Sequence, residues 1–191
     1  KGIMGPWVHK YPHFAVPEPR IGFLQEALRW WDKWLKGIET GVEDDPDLRL
    51  YQMDGVRPQT WYTERAGRWV AQTPERDAQP DNHMLEYSLN KEGLRDHHGS
   101  VDMTISSPQD CGADAGEYCA IWLGPEMPGD QRRDDALSAT WDTEILSNDI
   151  QITGLPKITL KLSSDQPTAQ IAVRLNHIHP DGASTRITYG V

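Results

Sequence analysis

Cysteine is almost missing from this chain: Cys111 and Cys119 are the only two in 191 residues, too few for a disulfide framework. One bridge between them and two reduced thiols both stay open, the thiols being the simpler reading. Long apolar runs are absent as well. Nothing approaches the ~20 residues that a membrane-spanning helix needs, and the start carries no basic, apolar and small-residue pattern of a secretory leader. Positive charge is short: 19 Lys and Arg stand against 29 Asp and Glu, giving a net charge of −10 and a pI of about 5.1. That balance argues against nucleic acid or an anionic membrane as a partner, since both need clustered cations. A soluble, cytoplasmic protein is the expectation. No Gly-x-Ser-x-Gly occurs anywhere, so a serine nucleophile on a strand-to-helix elbow is not in this chain. There is no internal repeat and no low-complexity tract.

What is present begins abruptly. The chain opens on Lys1 and at once on Ile3 and Met4, which reads as the end of a buried strand in a segment cut from a larger protein. Gly5-Pro6 leaves that strand sharply, Trp7 has a ring to pack against the scaffold, and His9 is left at a loop tip. An imidazole with an ordinary pKa near ~6.5 takes and returns a proton near neutral pH, so His9 is the candidate general base and acid. The loop runs on through His13-Phe14 to the Pro17-Glu18-Pro19 breaker. From about Arg20 to Gly37 the apolar residues Ile21, Leu24, Leu28, Trp31, Leu35 and Ile38 recur at three and four, which predicts an amphipathic helix. Lys33 and Lys36 near its end suit the helix dipole, and Gly37 suits a stop. The Trp31 and Trp34 pair is read as packing rather than pocket wall. Strand, loop and packed helix make an α/β arrangement, and Glu43-Asp44-Asp45-Pro46-Asp47 reads as an exposed linker at a domain boundary.

Beyond Asp47 the texture changes to short segments of period two divided by Gly, Pro, Asn and Asp. Strands are expected at Leu85–Leu89, Val101–Ile105, Ile158–Leu162 and Ile171–Leu175. Others are expected around Leu48 to Met53, Trp61-Tyr62, Trp69-Val70, Ala120 to Trp122, Ile150 to Ile152 and Arg186 to Val191. Many short strands with little helix predict two packed antiparallel sheets, a sandwich or jelly roll. Pro180-Asp181-Gly182 is a tight-turn sequence between the last two strands.

Other polar groups have competing readings. His177 and His179 lie two apart on a strand with Asp181 just beyond, acceptable spacing for a metal, against a strand-end pair bonded to backbone or solvent. Asp96-His97-His98 reads as an exposed loop. The acidic run at Glu43 to Asp47 lacks the ligand spacing of a calcium loop. In Asp130 to Asp135 the arginines are expected to pair with neighbouring carboxylates. No cofactor or metal is assigned.

Gly5-Pro6-Trp7-Val8-His9, the helix end Trp31-Asp32-Lys33-Trp34-Leu35-Lys36-Gly37 and the Gly67-Arg68-Trp69 turn form an ordered set with three later segments. These are Pro128 through Ser138, Leu155 through Ser164, and Asn176 to Gly190, which contains His179-Pro180-Asp181-Gly182. In that order they resemble the cocaine esterase and X-Pro dipeptidyl-peptidase group of serine hydrolases over essentially the whole chain. The resemblance implies a mainly β chain: residues 1–44 as the last strand, His loop and helix of an α/β-hydrolase catalytic domain, and residues 45–191 as a jelly-roll β-sandwich that helps wall the acyl pocket, clipped at its C-terminus. It places His9 on the family's triad histidine and puts the nucleophilic Ser and the orienting Asp upstream of Lys1, so the chain alone is expected to be inactive. Expected partners are a small-molecule ester or peptide substrate and the missing N-terminal catalytic domain, with a homo-oligomer left open. The rival reading is a non-catalytic β-sandwich that binds a sugar or a partner protein. A row of exposed Trp61, Trp69 and Trp122 would favour it.

Overall fold

The structure is a computed structural model describing residues 1–73, 84–121 and 123–191. Strands outnumber helices, and three small sheets carry the architecture. In the first, β1 (Gly2–Met4) pairs in parallel with β2 (Leu48–Met53), with Gly2 opposite Leu48, and β2 pairs antiparallel with β3 (Gly67–Gln72). Parallel neighbours need a crossover, and α1 (Phe23–Lys36) lies on the connection between β1 and β2. The remaining sheets are hairpins: β4 (Ser88–Asn90) with β5 (Gly93–Arg95), and β6 (Val173–Ile178) with β7 (Ser184–Gly190). A short helix, α2 (Arg132–Ala136), occupies the mixed-charge stretch.

The local signals hold where a segment finds its partner inside the chain. β1 matches the expected strand end but is not buried, Met4 being exposed, and β2 and β3 match the segments around Leu48 to Met53 and Trp69-Val70. The turn before β7 is tight, with the Gly182 N–H donating to the His179 carbonyl at 2.8 Å and the His179 N–H to the Ala183 carbonyl at 2.8 Å. Helix α1 begins three residues later than its periodicity suggests, because the preceding residues are tied to the His9 loop: Arg20 donates to the Ala15 carbonyl at 3.1 Å and Ile21 to that of Pro12 at 3.3 Å. It stops where expected, with Gly37 in the left-handed conformation at φ 70°.

Alternation without a partner leaves no strand. Segments 101–105, 150–152 and 158–162 are non-strand, and of the expected strand at Leu85–Leu89 only Ser88 and Leu89 fall in a ladder. Trp61-Tyr62 is likewise outside any strand, and Trp122 lies outside the described residues. Their apolar side chains, Met103, Ile105, Ile152, Ile158 and Leu162 among them, are exposed. Pleated backbone needs a neighbouring ladder to satisfy its N–H and C=O groups, and none of the three sheets supplies one here.

Helix α1 corrects a second expectation. Its apolar stripe is not packed: Leu28 is 57%, Trp31 52% and Leu35 73% exposed, with Leu24, Trp34 and Ile38 exposed as well. The helix is attached by its polar side instead. Arg49 on β2 grips Glu26 through two hydrogen bonds of 3.2 and 2.9 Å, Arg29 holds Asp45 at 3.1 Å, and Lys33 pairs with Glu39 and Glu43. The acidic run is therefore more than a solvated linker, since Asp47 also pairs with Lys1 at 3.0 Å. The chain's accessible surface is 14285 Å², against roughly 9,200 Å² for a compact monomer of its mass. Much apolar surface is thus exposed.

The closed part of the molecule is a polar knot. Asp134 and Gln131 are fully buried, as is Ser184. Arg174 on β6 donates to Gln131 Oε1 at 3.0 Å and to the Ser138 hydroxyl at 3.1 Å, and pairs with Asp135 at 3.0 Å. Ser184 donates to Asp135 at 2.6 Å and Asn176 to the same carboxylate at 2.9 Å. Shared acceptors of this kind make a buried network worth having, since an unpaired buried charge is costly.

Candidate active site

His9 is exposed, one residue past the buried Val8. Its loop is shaped by close approach. The Trp7 indole N–H donates to the Pro19 carbonyl at 2.7 Å, and its ring lies 6.1 Å from that of Trp69 on β3. A side chain at Gly5 would meet that indole at 2.5 Å, so only glycine lets the strand turn beneath it. Val8 donates to the Val16 carbonyl at 3.0 Å, and the His9 N–H donates to Ala120 at 2.9 Å. The backbone is thus fixed on both sides, and the imidazole stands free of the packing.

It faces an open cleft of about 520 Å³ whose lining includes Trp7, Glu117, Tyr118, Cys119 and Arg186. The far wall is a loop closed on itself. Glu126, buried, accepts from the N–H groups of Ile121 and Leu123 at 2.5 Å each, and its carbonyl accepts from Glu117 at 2.8 Å. Gly116, at φ 72°, lies so close to the Glu126 carbonyl that a Cβ there would sit 2.6 Å from it. The polar knot holds the base of this loop: Gln131 donates to the Asp114 carbonyl at 2.7 Å, and Asp134 accepts from the Asp114 N–H at 3.1 Å. Tyr118 projects from the loop at 94% exposure, so a broad aromatic surface stands across from the imidazole.

The other sequence candidates are not brought to this cleft. The His177 and His179 rings do adjoin, with centroids 4.2 Å apart. The Thr185 hydroxyl gives its proton to the Val56 carbonyl at 2.9 Å and so accepts from His179 Nε2 at 2.9 Å. Asp181 pairs with Arg57. Two of the three candidate ligands, His179 and Asp181, are thus already engaged. Burial, then the neighbouring His177 and Arg57 charges, hold the His179 pKa below its ordinary value. Asp96-His97-His98 is exposed. Arg132 pairs with Asp130 and Arg133 with Asp110, both at 2.8 Å, as expected for that run. Both cysteines are free thiols, Cys119 exposed in the cleft. Trp69 touches Trp7 and Tyr51 yet stays exposed, as does Trp61, but Trp61 is on no strand, so the two make no row on one sheet, and Trp122 lies outside the described residues.

Sequence reasoning missed Glu117, Glu126 and Arg186 as cleft residues. They lie 108 to 177 positions away from His9, and no local pattern joins them to it. The one available signal was the Gly and Pro punctuation of Gly124-Pro125 and Pro128-Gly129, which marks a loop without saying what it faces.

No solved structure matches the chain. It is 25% identical over 213 residues to cocaine esterase of a Rhodococcus species, covering 99% of this chain and 35% of that protein. It is 22% identical over 197 residues to a putative serine esterase of Mycobacterium bovis, covering 98% and 30%. A putative Xaa-Pro dipeptidyl-peptidase of Bacillus cereus is 23% identical over 169 residues, covering 88% and 26%. The chain thus spans about a third of the length of these relatives. Residues 40–191 match the X-Pro dipeptidyl-peptidase C-terminal non-catalytic domain, and with four fifths of its length inside that match the chain belongs to this family.

Proposed function

We propose that this chain is the C-terminal part of a serine hydrolase that cleaves ester or peptide bonds through an acyl-enzyme, with His9 as its general base and acid. Residues 1–44 are the end of the α/β-hydrolase catalytic domain, and residues 45–191 belong to a jelly-roll sandwich. The family match beginning at residue 40 supports that division, while the pairing of β1 with β2 ties the two parts through one sheet. The nucleophilic Ser and the orienting Asp belong to the part of the polypeptide upstream of Lys1, so residues 1–191 alone turn over no substrate.

The observation that carries this reading is the exposed imidazole of His9, backbone-fixed at the mouth of a cleft. In the intact enzyme it takes the proton of the seryl hydroxyl as that oxygen attacks the substrate carbonyl. It then gives the proton to the leaving group, and in the second half-reaction draws one from water. The apolar stripe of α1 fits the same picture: Leu28, Trp31 and Leu35, open here, are covered by the upstream catalytic domain.

The test is His9→Ala in the full-length protein. The expected result is a fall in kcat on aryl esters of roughly 10⁴ to 10⁶, the scale of losing a triad member. A loss under about tenfold removes His9 from the mechanism.

A further inference from the structure

The cleft in front of His9 contains a guanidinium with no anion to meet. Several arginines find carboxylates: Arg29 reaches Asp45, Arg49 reaches Glu26, and Arg174 reaches Asp135. Arg186, in the middle of β7, does not. Its Cζ lies 4.5 Å over the Tyr189 ring, and among the described residues that ring face is its one charge-stabilising contact. The two carboxylates that share the cleft leave it alone. Glu126 is turned to the Ile121 and Leu123 N–H groups, and Glu117 on the same wall makes no ion pair with it. Arg186 is also half-buried. Burial works against its charge, with the Tyr189 ring partly offsetting the cost.

A planar fork of N–H donors, stacked on an aromatic face and desolvated without a partner, is the arrangement that binds a carboxylate in two-point fashion. Its place on a hairpin strand tied into the polar knot through Ser184, two residues away, fixes the backbone from which it reaches the cleft. The cleft volume of about 520 Å³ leaves room for a ligand of several heavy atoms between it and His9.

Resting on the hydrolase reading above, we propose that Arg186 is a specificity-determining residue of the His9 cleft, binding a carboxylate carried by the ester or amide substrate. The intact enzyme then prefers esters with a free carboxylate over neutral esters of the same size.

The experiment uses the full-length protein and two matched pairs of substrates. With the carboxylate on the acyl side, mono-p-nitrophenyl glutarate is set against p-nitrophenyl valerate. With it on the leaving group, 4-acetoxybenzoate is set against phenyl acetate. In the wild type, kcat/KM should favour the anionic member of at least one pair, and the preference should shrink between low and high salt. Arg186→Met should raise KM for that anionic ester by about 10- to 100-fold, as expected for losing a charge-assisted pair, with kcat changed less than threefold and the neutral ester unaffected. Arg186→Lys should recover part of the loss. Equal losses on both members would make Arg186 a support for the upstream domain and overturn the proposal. So would a wild type without preference for either anionic ester, a measurement that stands even if Arg186→Met fails to fold. Turnover of the neutral esters that depends on His9 while Arg186 proves silent leaves the hydrolase reading intact. Turnover indifferent to His9→Ala fails that reading itself.

Discussion

Helix α1 and the β6–β7 hairpin handle desolvation in opposite ways. Around the hairpin, polar groups go inside: Asp134 is fully buried, and Arg174, Gln131, Asn176 and Ser184 bond to one another or to the α2 carboxylates. On α1 the ion pairs face the sheet, while Leu28, Trp31 and Leu35 face outward. The hairpin region finds most of its polar partners within residues 110–190, with Val56 and Arg57 reached from the turn end. The helix is incomplete by the same standard. Exposed large apolar residues on one face mark a surface meant for contact, and α1 follows directly on the loop that carries His9. The difference separates a part of this chain whose polar groups are met within it from a part whose apolar face is left open, which the proposed upstream domain would cover.

The largest expected effect strikes the complete region. Arg174→Met leaves the Asp135 carboxylate, and the buried Asp134 beside it, without a cation. The cost is about 3 to 5 kcal/mol, read as a lower denaturation midpoint in urea. A change under 1 kcal/mol would mean that the knot is ornamental. The next effect separates the two regions directly. Leu28→Ser in residues 1–191 should change stability by no more than about 0.5 kcal/mol, as for an exposed site. In the full-length protein the same substitution should cost about 2 kcal/mol or more, as for a covered leucine. Equal effects in both would contradict the docking of α1.

The smallest effects are titrations. The Glu26 carboxyl is held below the ordinary glutamate range near 4.5, chiefly by its hydrogen bond to Arg49 and against the pull of burial. A depressed carboxylate stabilises the folded state above its unfolded pKa, and this is lost as pH falls through the folded value. The contact of α1 with β2 should therefore loosen below about pH 4.5, and Glu26→Gln should remove that dependence. His179 is also depressed, by burial first and then by His177 and Arg57. The unfolded chain binds this proton more tightly, so the hairpin should weaken as pH falls below 6.5. A midpoint that rises toward pH 5.5, or one that His179→Gln leaves equally pH-dependent, would assign the effect elsewhere.

What the sequence made legible was local. The Gly5-Pro6-Trp7-Val8-His9 loop, the α1 period, the Gly37 stop and the Pro180 to Gly182 turn each depend on residues within a few positions of one another. The polar knot joins residues 131–138 to 174–184, and no window of sequence shows that Asp135 will meet Ser184. The α1 stripe was read correctly as an apolar face, but periodicity says only that a face exists, not that its cover lies in the same chain. For the same reason 150–152 and 158–162 alternate as strands do and yet form none, since a strand is made by its neighbour. Within the site, His9 was visible from its own loop, whereas Arg186 and Glu126 reach the cleft by tertiary folding alone.

The most direct measurement is the rate at which an aryl fluorophosphonate labels the nucleophile of the full-length protein, with and without His9. The account predicts single-site labelling of a serine upstream of Lys1, slowed at least 10³-fold by His9→Ala. Labelling of His9→Ala at the wild-type rate, or of a residue within 1–191, would contradict it.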